Sequence, residues 1–340
     1  MIRLVKQHSA KEGDNFNENL ISILDTIQKE NVDYFTIKVT IYINSETKDS
    51  FSKESDSALQ NCKAFFKDKT PGLSIVPISL HRNIPFLIES TLHNKKEGVV
   101  KFKQLFDHHY TVVENHNSTE LFSGSISFNE TSKVYNIQKT LDFAEQILDA
   151  EEMTFEHLYK QNNYIGALSE DNLKEFNEIK DFYCGGAQFK NGLPLNINIG
   201  SNHDILSVDI CALAYGDENT AFKRIKNSII INNSSPQINT IHQSPKGDIK
   251  QQTTNTILNI IEEVKSLQAS LNPHLQKKEL SEKDLLFLRV IVTEENDFDF
   301  VSKYITEALP LVPFTIMCAN SAHKNQLIQI EGITNLNITL

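Results

Sequence analysis

Arginine is scarce in this chain of 340 residues, which makes each arginine informative. The four are Arg3, Arg82, Arg224 and Arg289. Arginine is the side chain best suited to clamp a carboxylate, because its planar fork donates two parallel hydrogen bonds. The formal net charge is −11, so an anionic ligand needs locally concentrated positive charge. Arg224 and Arg289 are therefore the candidate groups for binding a carboxylate-bearing small molecule.

Three segments of the chain alternate between apolar and polar residues in the way that β-strands do, and each has a cation at its fourth position. The segments are 35–43, 157–165 and 286–293, and the cations are Lys38, Lys160 and Arg289. Lys160 and Arg289 are candidate ligand contacts, whereas Lys38 is better interpreted as a strand-edge charge. Tyr164, in the second segment, could hydrogen-bond a ligand, although an aromatic residue there is more often part of the core.

The surroundings of these strands repeat as well. An amphipathic helical pattern precedes each strand, a second helix follows it, and a proline then opens a short strand before a closing strand. The closing strands begin at Phe86, Val208 and Ile328. We predict three tandem α/β (α+β) units, each a mixed sheet covered by two helices. Their predicted bounds are 1–105, 106–218 and 219–340, and the first unit is partial because too few residues precede its helix.

Composition narrows the class of protein further. An acidic chain repels phosphate backbones, so no nucleic-acid partner is expected. No run approaches the roughly 18 apolar residues of a membrane helix, so no membrane partner is expected either. The N-terminus lacks the apolar stretch of a secretory signal, and the four cysteines are scattered. We therefore expect a cytoplasmic protein with reduced cysteines. No cofactor or metal motif is present, and none is expected.

One segment of the second unit is similar to a known family. Residues 120–126, Glu-Leu-Phe-Ser-Gly-Ser-Ile, resemble the "lvftSGqi" strand of the YjgF/RidA family, whose fold is related to that of chorismate mutase. Small members of that family are trimers with sites in the clefts between subunits. The resemblance implies that three tandem units fold into an internal pseudo-trimer, as a monomer or within a homo-oligomer. The arginine on which imine hydrolysis depends in that family is missing at the corresponding positions, near Leu73, Asn196 and Thr315.

The second and third units resemble the chorismatase branch of this family more closely. Residues 161–165 resemble its QWNYI motif, and residues 222–224 resemble its FSR motif. Gly247, Asp248, Gln252, Thr256 and the pair 259–260 keep the spacing of GDxxxQxxETxxNI without a gap. The resemblance implies binding of chorismate, a dicarboxylate, and removal of its enolpyruvyl group as pyruvate, which leaves a hydroxybenzoate or a dihydroxycyclohexadiene acid. On this interpretation Arg224, Arg289, Lys160 and Tyr164 contact the substrate.

The closing strand of the third unit departs from the branch. It reads Ile-Gln-Ile-Glu-Gly over 328–332, where the branch has V-E-I-E-G. The resemblance implies that Gln329 occupies the catalytic glutamate position and that Ala322 occupies a neighbouring cysteine position. Glutamine cannot deliver a proton. Glu331, two residues further along the same strand face, is then the available general acid.

Three functions therefore remain open from the sequence. The first is a chorismatase-like enzyme with Glu331 and Gln329 at its catalytic centre. The second is a catalytically eroded relative that binds a small carboxylate ligand or a partner protein. The third is a structural interaction module, for which no positively lined cleft is expected.

Overall fold

The computed structural model describes residues 3–13, 15–81, 84–129, 132–187, 189, 192–215, 222–225, 228–231, 237–244, 246–271 and 285–335. Within these ranges three mixed sheets follow one another along the chain. None of the described helices combines the length and the apolar character that crossing a lipid bilayer requires.

The first sheet has four strands in the order β1-β5-β2-β3. Its elements are β1 (Arg3–Ser9), α1 (Phe16–Glu30), β2 (Tyr34–Ile43), α2 (Lys48–Phe66), β3 (Gly72–Pro77) and β5 (Phe86–Asn94). The short β4 (Ser79–Leu80) leaves this unit and pairs with the third sheet.

The second sheet has six strands in the order β10-β9-β11-β8-β7-β6. Its elements are β6 (Val99–Leu105), β7 (His108–Asn115), β8 (Ser118–Ser123), α3 (Lys133–Asp149), β9 (Leu158–Gly166), α4 (Glu170–Cys184), β10 (Leu195–Ser201) and β11 (Leu206–Tyr215).

The third sheet has seven strands in the order β12-β13-β14-β17-β15-β16-β4. Its elements are β12 (Phe222–Ile225), β13 (Ser228–Ile231), β14 (Gln237–Gln243), α5 (Ile249–Leu271), β15 (Leu285–Val292), α6 (Phe298–Ala308), β16 (Phe314–Cys318) and β17 (Ile328–Asn335).

All three sheets contain the same four-stranded arrangement. The orders β1-β5-β2-β3, β8-β11-β9-β10 and β14-β17-β15-β16 match strand for strand, with one parallel pair at the end of each. Two helices accompany each arrangement at the same places in the chain. The prediction of three tandem α/β units, each with a mixed sheet and two helices, is confirmed.

The helices cover one face of each sheet because their apolar residues recur at helical spacing. In α3 the buried residues Ile137, Leu141, Ala144 and Leu148 fall on one stripe. Side chains at the helix N-termini accept hydrogen bonds from backbone amides that have no partner within the helix. Ser169, for example, accepts a hydrogen bond of 3.2 Å from the Asn172 amide at the start of α4. Each unit therefore has its own sheet-helix core.

A fourth core lies between the sheets. It joins Tyr42 of the first unit, Tyr164 and Leu213 of the second, and Ile291 and Met317 of the third. The opposite, helix-free faces of the three sheets thus pack against one another. The units form a ring about a pseudo-threefold axis. Each unit buries the apolar residues of this face against its two neighbours.

The strand registers correct one detail of the predicted repeat. A bulge precedes Lys38, Lys160 and Phe287 at the same register in β2, β9 and β15. Phe287, and not Arg289, is thus the equivalent of the two lysines. Arg289 lies two residues further along. A shift of two leaves a side chain on the same strand face, so the alternation in the sequence could not reveal it.

The sheets also bear on where one unit of the chain ends and the next begins. β6 pairs with β7 in the second sheet, although it precedes the predicted bound at residue 105. We propose a first division between Asn94 and Val99, where one sheet ends and the next begins. The second predicted bound, near residue 218, lies outside the described residues.

Candidate functional site

Six charged side chains meet at the pseudo-threefold axis. Strands β2, β9 and β15 contribute Lys38, Lys160 and Arg289, and closing strands β5, β11 and β17 contribute Glu89, Asp209 and Glu331. The three acids share one register, opposite Thr40, Asn162 and Arg289 on the neighbouring strands. We call these six residues the axial ring.

The ion pairs of the axial ring run cyclically from unit to unit. Lys38 of the first unit pairs with Asp209 of the second at 2.8 Å. Lys160 of the second pairs with Glu331 of the third. Arg289 of the third pairs with Glu89 of the first, with a 3.2 Å contact from Nε, and also with Glu331. Each unit is therefore tied to both of its neighbours by charge.

The axial ring is buried and its charges balance, three against three. Asp209 also accepts hydrogen bonds from Ser74 at 3.0 Å and from Asn162 at 2.6 Å. Beside the ring, Arg3 and Glu120 form a further buried pair at 2.8 Å. Removal of charges from water is costly, and it is tolerated here because each charge has a partner of opposite sign.

Glu331 is held in its ionised form. Burial alone would raise the pKa of its carboxyl group, but the charges of Arg289 and Lys160 outweigh that effect and lower the pKa below its ordinary value. The adjacent acids raise the pKa of Arg289 further, although burial opposes them. At neutral pH Glu331 therefore carries no proton to donate.

A cavity of about 400 Å³ lies away from the axis, in the seam between the second and third units. One wall consists of Asn196 and Asn198 on β10, with Leu168 and Leu173 at the start of α4. The other consists of residues from β14, β15, β17 and the 319–326 loop of the third unit. We call it the amide cavity, since six asparagine and glutamine side chains line it: Asn196, Asn198, Gln243, Asn320, Gln326 and Gln329.

The described lining of the amide cavity contains no aspartate, glutamate, lysine or arginine. Its one titratable side chain, His323, lies half-exposed at the rim, 4.0 Å from Glu170. Nε2 of Gln329 and Oδ1 of Asn196 are buried without a hydrogen-bond partner. An unpaired donor and an unpaired acceptor thus belong to residues that line the same space, and an amide-like ligand edge offers the matching pair of groups.

The structure separates the predicted site residues into two groups. Gln329 and Ala322, the positions that the sequence resemblance assigns to catalysis, both line the amide cavity. Glu331, Lys160 and Arg289 belong to the axial ring.

Two further predicted contacts lie elsewhere. Tyr164 is buried in the core between the sheets, where burial raises the pKa of its hydroxyl group. The backbone of Arg224 pairs with Ile229 in the β12–β13 hairpin, and its side chain lies outside the described residues. The assigned roles of all these residues stay predictions.

Apart from Gln329, the amides of the cavity were missed in the sequence. A signal was present for two of them, because the segment Leu-Asn-Ile-Asn-Ile over 195–199 alternates and places both asparagines on one strand face. Asn320, Gln326 and Gln243 gave no such signal. They meet only because the second and third units close on each other.

Comparisons with known proteins bear on the fold. No family model matches the chain, and no curated protein sequence matches it. Among solved structures, a chorismatase superposes over 98% of this chain and 99% of its own, with a TM-score of 0.64 and 11% sequence identity.

Weaker matches extend to other proteins. The mycobacterial protein Rv2704, from Mycobacterium tuberculosis and of the YjgF/YER057c/UK114 family, is 16% identical over 34% of this chain and 85% of its own, with a TM-score of 0.24. A cyanuric acid hydrolase from A. caulinodans is 6% identical over 99% of this chain and all of its own, with a TM-score of 0.47.

Proposed function

Starting from a chain with the fold of a chorismatase, we propose that its amide cavity binds a small, uncharged, polar molecule and that it does not remove enolpyruvyl groups. The ligand presents a hydrogen-bond donor and an acceptor side by side, as a carboxamide or a lactam does. This corresponds to the second function left open by the sequence, with the ligand revised from a carboxylate to a neutral compound.

One observation carries the proposal. The described lining of the cavity at Gln329 and Ala322 is neutral apart from His323 at its rim, and the described candidates for binding or protonating a dicarboxylate, Lys160, Arg289 and Glu331, lie in the axial ring. Burying a carboxylate beside neutral groups alone is costly. A neutral ligand that reaches Gln329 and Asn196 instead pairs two atoms that are otherwise unsatisfied.

Removal of an enolpyruvyl group is the second candidate, favoured by the full-length likeness of the fold to a chorismatase. That reaction begins with protonation of the enol ether carbon, and it therefore requires a proton donor. Gln329 cannot act as one, and Glu331 is ionised and paired. Products such as pyruvate and a hydroxybenzoate would then need either His323, at the rim, or an acid outside the described lining of the cavity as the proton donor.

The test is calorimetric titration with two ligands of the same shape that differ in charge, 3-hydroxybenzamide and 3-hydroxybenzoate. We expect the amide to bind at least about tenfold more tightly at pH 7, a difference of about 1.4 kcal/mol. Asn196→Leu should abolish most of this preference. Gln104→Leu, which changes an exposed amide on β6, is the matched control and should retain it.

Tighter binding of the benzoate would contradict the proposal. So would the absence of measurable binding of either compound at millimolar concentration, or an unchanged preference in Asn196→Leu.

A further inference from the structure

The seam between the first and second units contains a second, larger cavity of about 950 Å³. It lies at the pseudo-symmetric position of the amide cavity. Leu73 and Ile75 of β3 take the places of Asn196 and Asn198, and Ser207 of β11 takes the place of Gln329. These two pseudo-equivalent seams are therefore lined by different residue types. We call this one the aromatic cavity.

The third seam, between the third and first units, is bridged by a strand pair. There β4 pairs with β16 through Leu80 and Met317, and His81 contacts Asp299 at 2.9 Å. The residue at the register of Gln329 and Ser207 is Leu87, which is buried and apolar. The aromatic cavity therefore differs from this seam in the residues at equivalent positions.

Aromatic rings gather on the second-unit wall of the aromatic cavity. The ring of Phe143, on α3, lies 5.6 Å from that of His108, 5.8 Å from that of Phe128 and 6.2 Å from that of Phe106. The first two contacts are edge-to-face. Phe51 and Leu59 of α2 face them from the first unit. Walls of this kind favour a flat aromatic ligand.

Phe106 occupies an unfavourable position. It lies in the two-residue turn between β6 and β7 with a φ of 50°, and its side chain is 74% exposed. Glycine or asparagine normally occupies such a turn position, because a side chain there costs about 1 kcal/mol or more. Its tilted contact with the Phe143 ring leaves most of the Phe106 side chain exposed at this strained position. A ring that covers a bound ligand at the cavity rim accounts for both features.

Two polar atoms of the aromatic cavity's lining residues lack partners. Oγ of Ser207 and Nε2 of His108 are buried without a hydrogen bond. Burial, with the nearby charges of His109 and Lys38, lowers the pKa of His108 to about 4, so its imidazole is neutral at pH 7. A neutral imidazole and a hydroxyl can each donate or accept one hydrogen bond.

We propose that the aromatic cavity is a second binding site, which takes an uncharged aromatic molecule carrying a hydrogen-bonding group. The rings around Phe143 hold the aryl part, and Ser207 and His108 bind the polar group. An anionic ligand is disfavoured because the lining contains more acids than lysines: Asp56, Asp107, Asp142 and Asp204 against Lys48 and Lys139. This site is independent of the amide cavity and of the function proposed for it.

The test is a fluorescence titration of the full chain with N-phenyl-1-naphthylamine, an uncharged diaryl compound with a single N–H. We expect saturable enhancement of its emission. Phe106→Gly should weaken binding about fivefold, the value of one aromatic contact, and should leave the melting temperature equal or higher because glycine relieves the turn. Ser207→Ala should weaken it about three- to tenfold, the value of one hydrogen bond.

Phe182→Ala is the control, because Phe182 is an exposed phenylalanine on α4 that does not line the cavity. It should bind the probe as the unchanged chain does. Absence of saturable binding would overturn the proposal, and so would Phe106→Gly and Ser207→Ala variants that bind the probe as tightly as the unchanged chain does. A loss of affinity in Phe182→Ala as large as that in Phe106→Gly would place the probe elsewhere and also overturn it.

Discussion

At the scale of single residues, position in the ring decides what a charged side chain can do. Glu331 has the residue type of a general acid, and the sequence singles it out for that reason. Its register places it at the axis, where two cations hold it ionised. A carboxylate in that setting is suited to structural pairing, whereas a catalytic acid needs surroundings that favour its protonated form.

Glu331→Gln should therefore lower the free energy of unfolding by about 3–5 kcal/mol, because it leaves Lys160 and Arg289 with one buried charge too few. Urea denaturation measures this. Glu114→Gln breaks the half-exposed pair with Lys101 and is the control, with an expected loss below about 1 kcal/mol. Equal effects of the two substitutions would argue against a structural axial ring.

The free energy of unfolding should depend differently on pH in the unchanged chain and in Glu331→Gln. The pKa of Glu331 is lower in the folded chain than its ordinary value of 4.5, so its stabilising effect is complete above that value and is lost as the pH falls through the lowered pKa. The gap in unfolding free energy between the unchanged chain and Glu331→Gln should narrow below about pH 4.5. A gap that widens in acid would contradict the assigned ionisation.

At the scale of elements, neighbouring units approach one another through glycines. Gly124, just after β8, lies against the backbone of Leu73 on β3, and a Cβ at Gly124 would lie 2.3 Å from the Leu73 carbonyl oxygen. A hydrogen bond of 2.9 Å from the Ser125 amide to that oxygen fixes the same approach. The seam between the first two units depends on this contact.

Gly124→Ala should lower the free energy of unfolding by about 1–3 kcal/mol, since two backbones must separate to admit one methyl group. Gly186→Ala is the matched control, because nothing lies within 4 Å of a Cβ there, and its effect should stay within about 0.5 kcal/mol. Thermal denaturation compares the two. No loss in Gly124→Ala would mean that the seam is looser than described.

The elements were the most predictable part of the fold. Helical and strand periodicities in the sequence predicted the repeated order, since burial of one face imposes them locally. The position of Arg289 relative to Lys38 could not be predicted, because strand alternation is unchanged by a shift of two. The amide cavity could not be predicted either, because residues as distant as Asn196 and Gln329 meet only after two units pack.

At the scale of the whole molecule, the three units depend on one another. Each buries its helix-free sheet face in the shared core, and the axial ring runs through all three. We expect one cooperative unfolding transition in urea. The transitions followed by far-ultraviolet circular dichroism and by tyrosine fluorescence should coincide. Tyrosine fluorescence is used because the chain contains no tryptophan. Two separated transitions would show that a unit folds independently of the ring.

This molecule holds six charged side chains at the axis, and the described lining of its amide cavity contains no aspartate, glutamate, lysine or arginine. The most direct test follows pyruvate release from chorismate with a coupled lactate dehydrogenase assay, using micromolar protein and a protein-free control for spontaneous breakdown. We expect release no faster than in that control. Release over many turnovers would contradict this expectation. The contradiction would be complete if Glu331→Gln slowed the release by about 10²–10⁴, or if Arg224→Ala slowed it because a carboxylate clamp is lost.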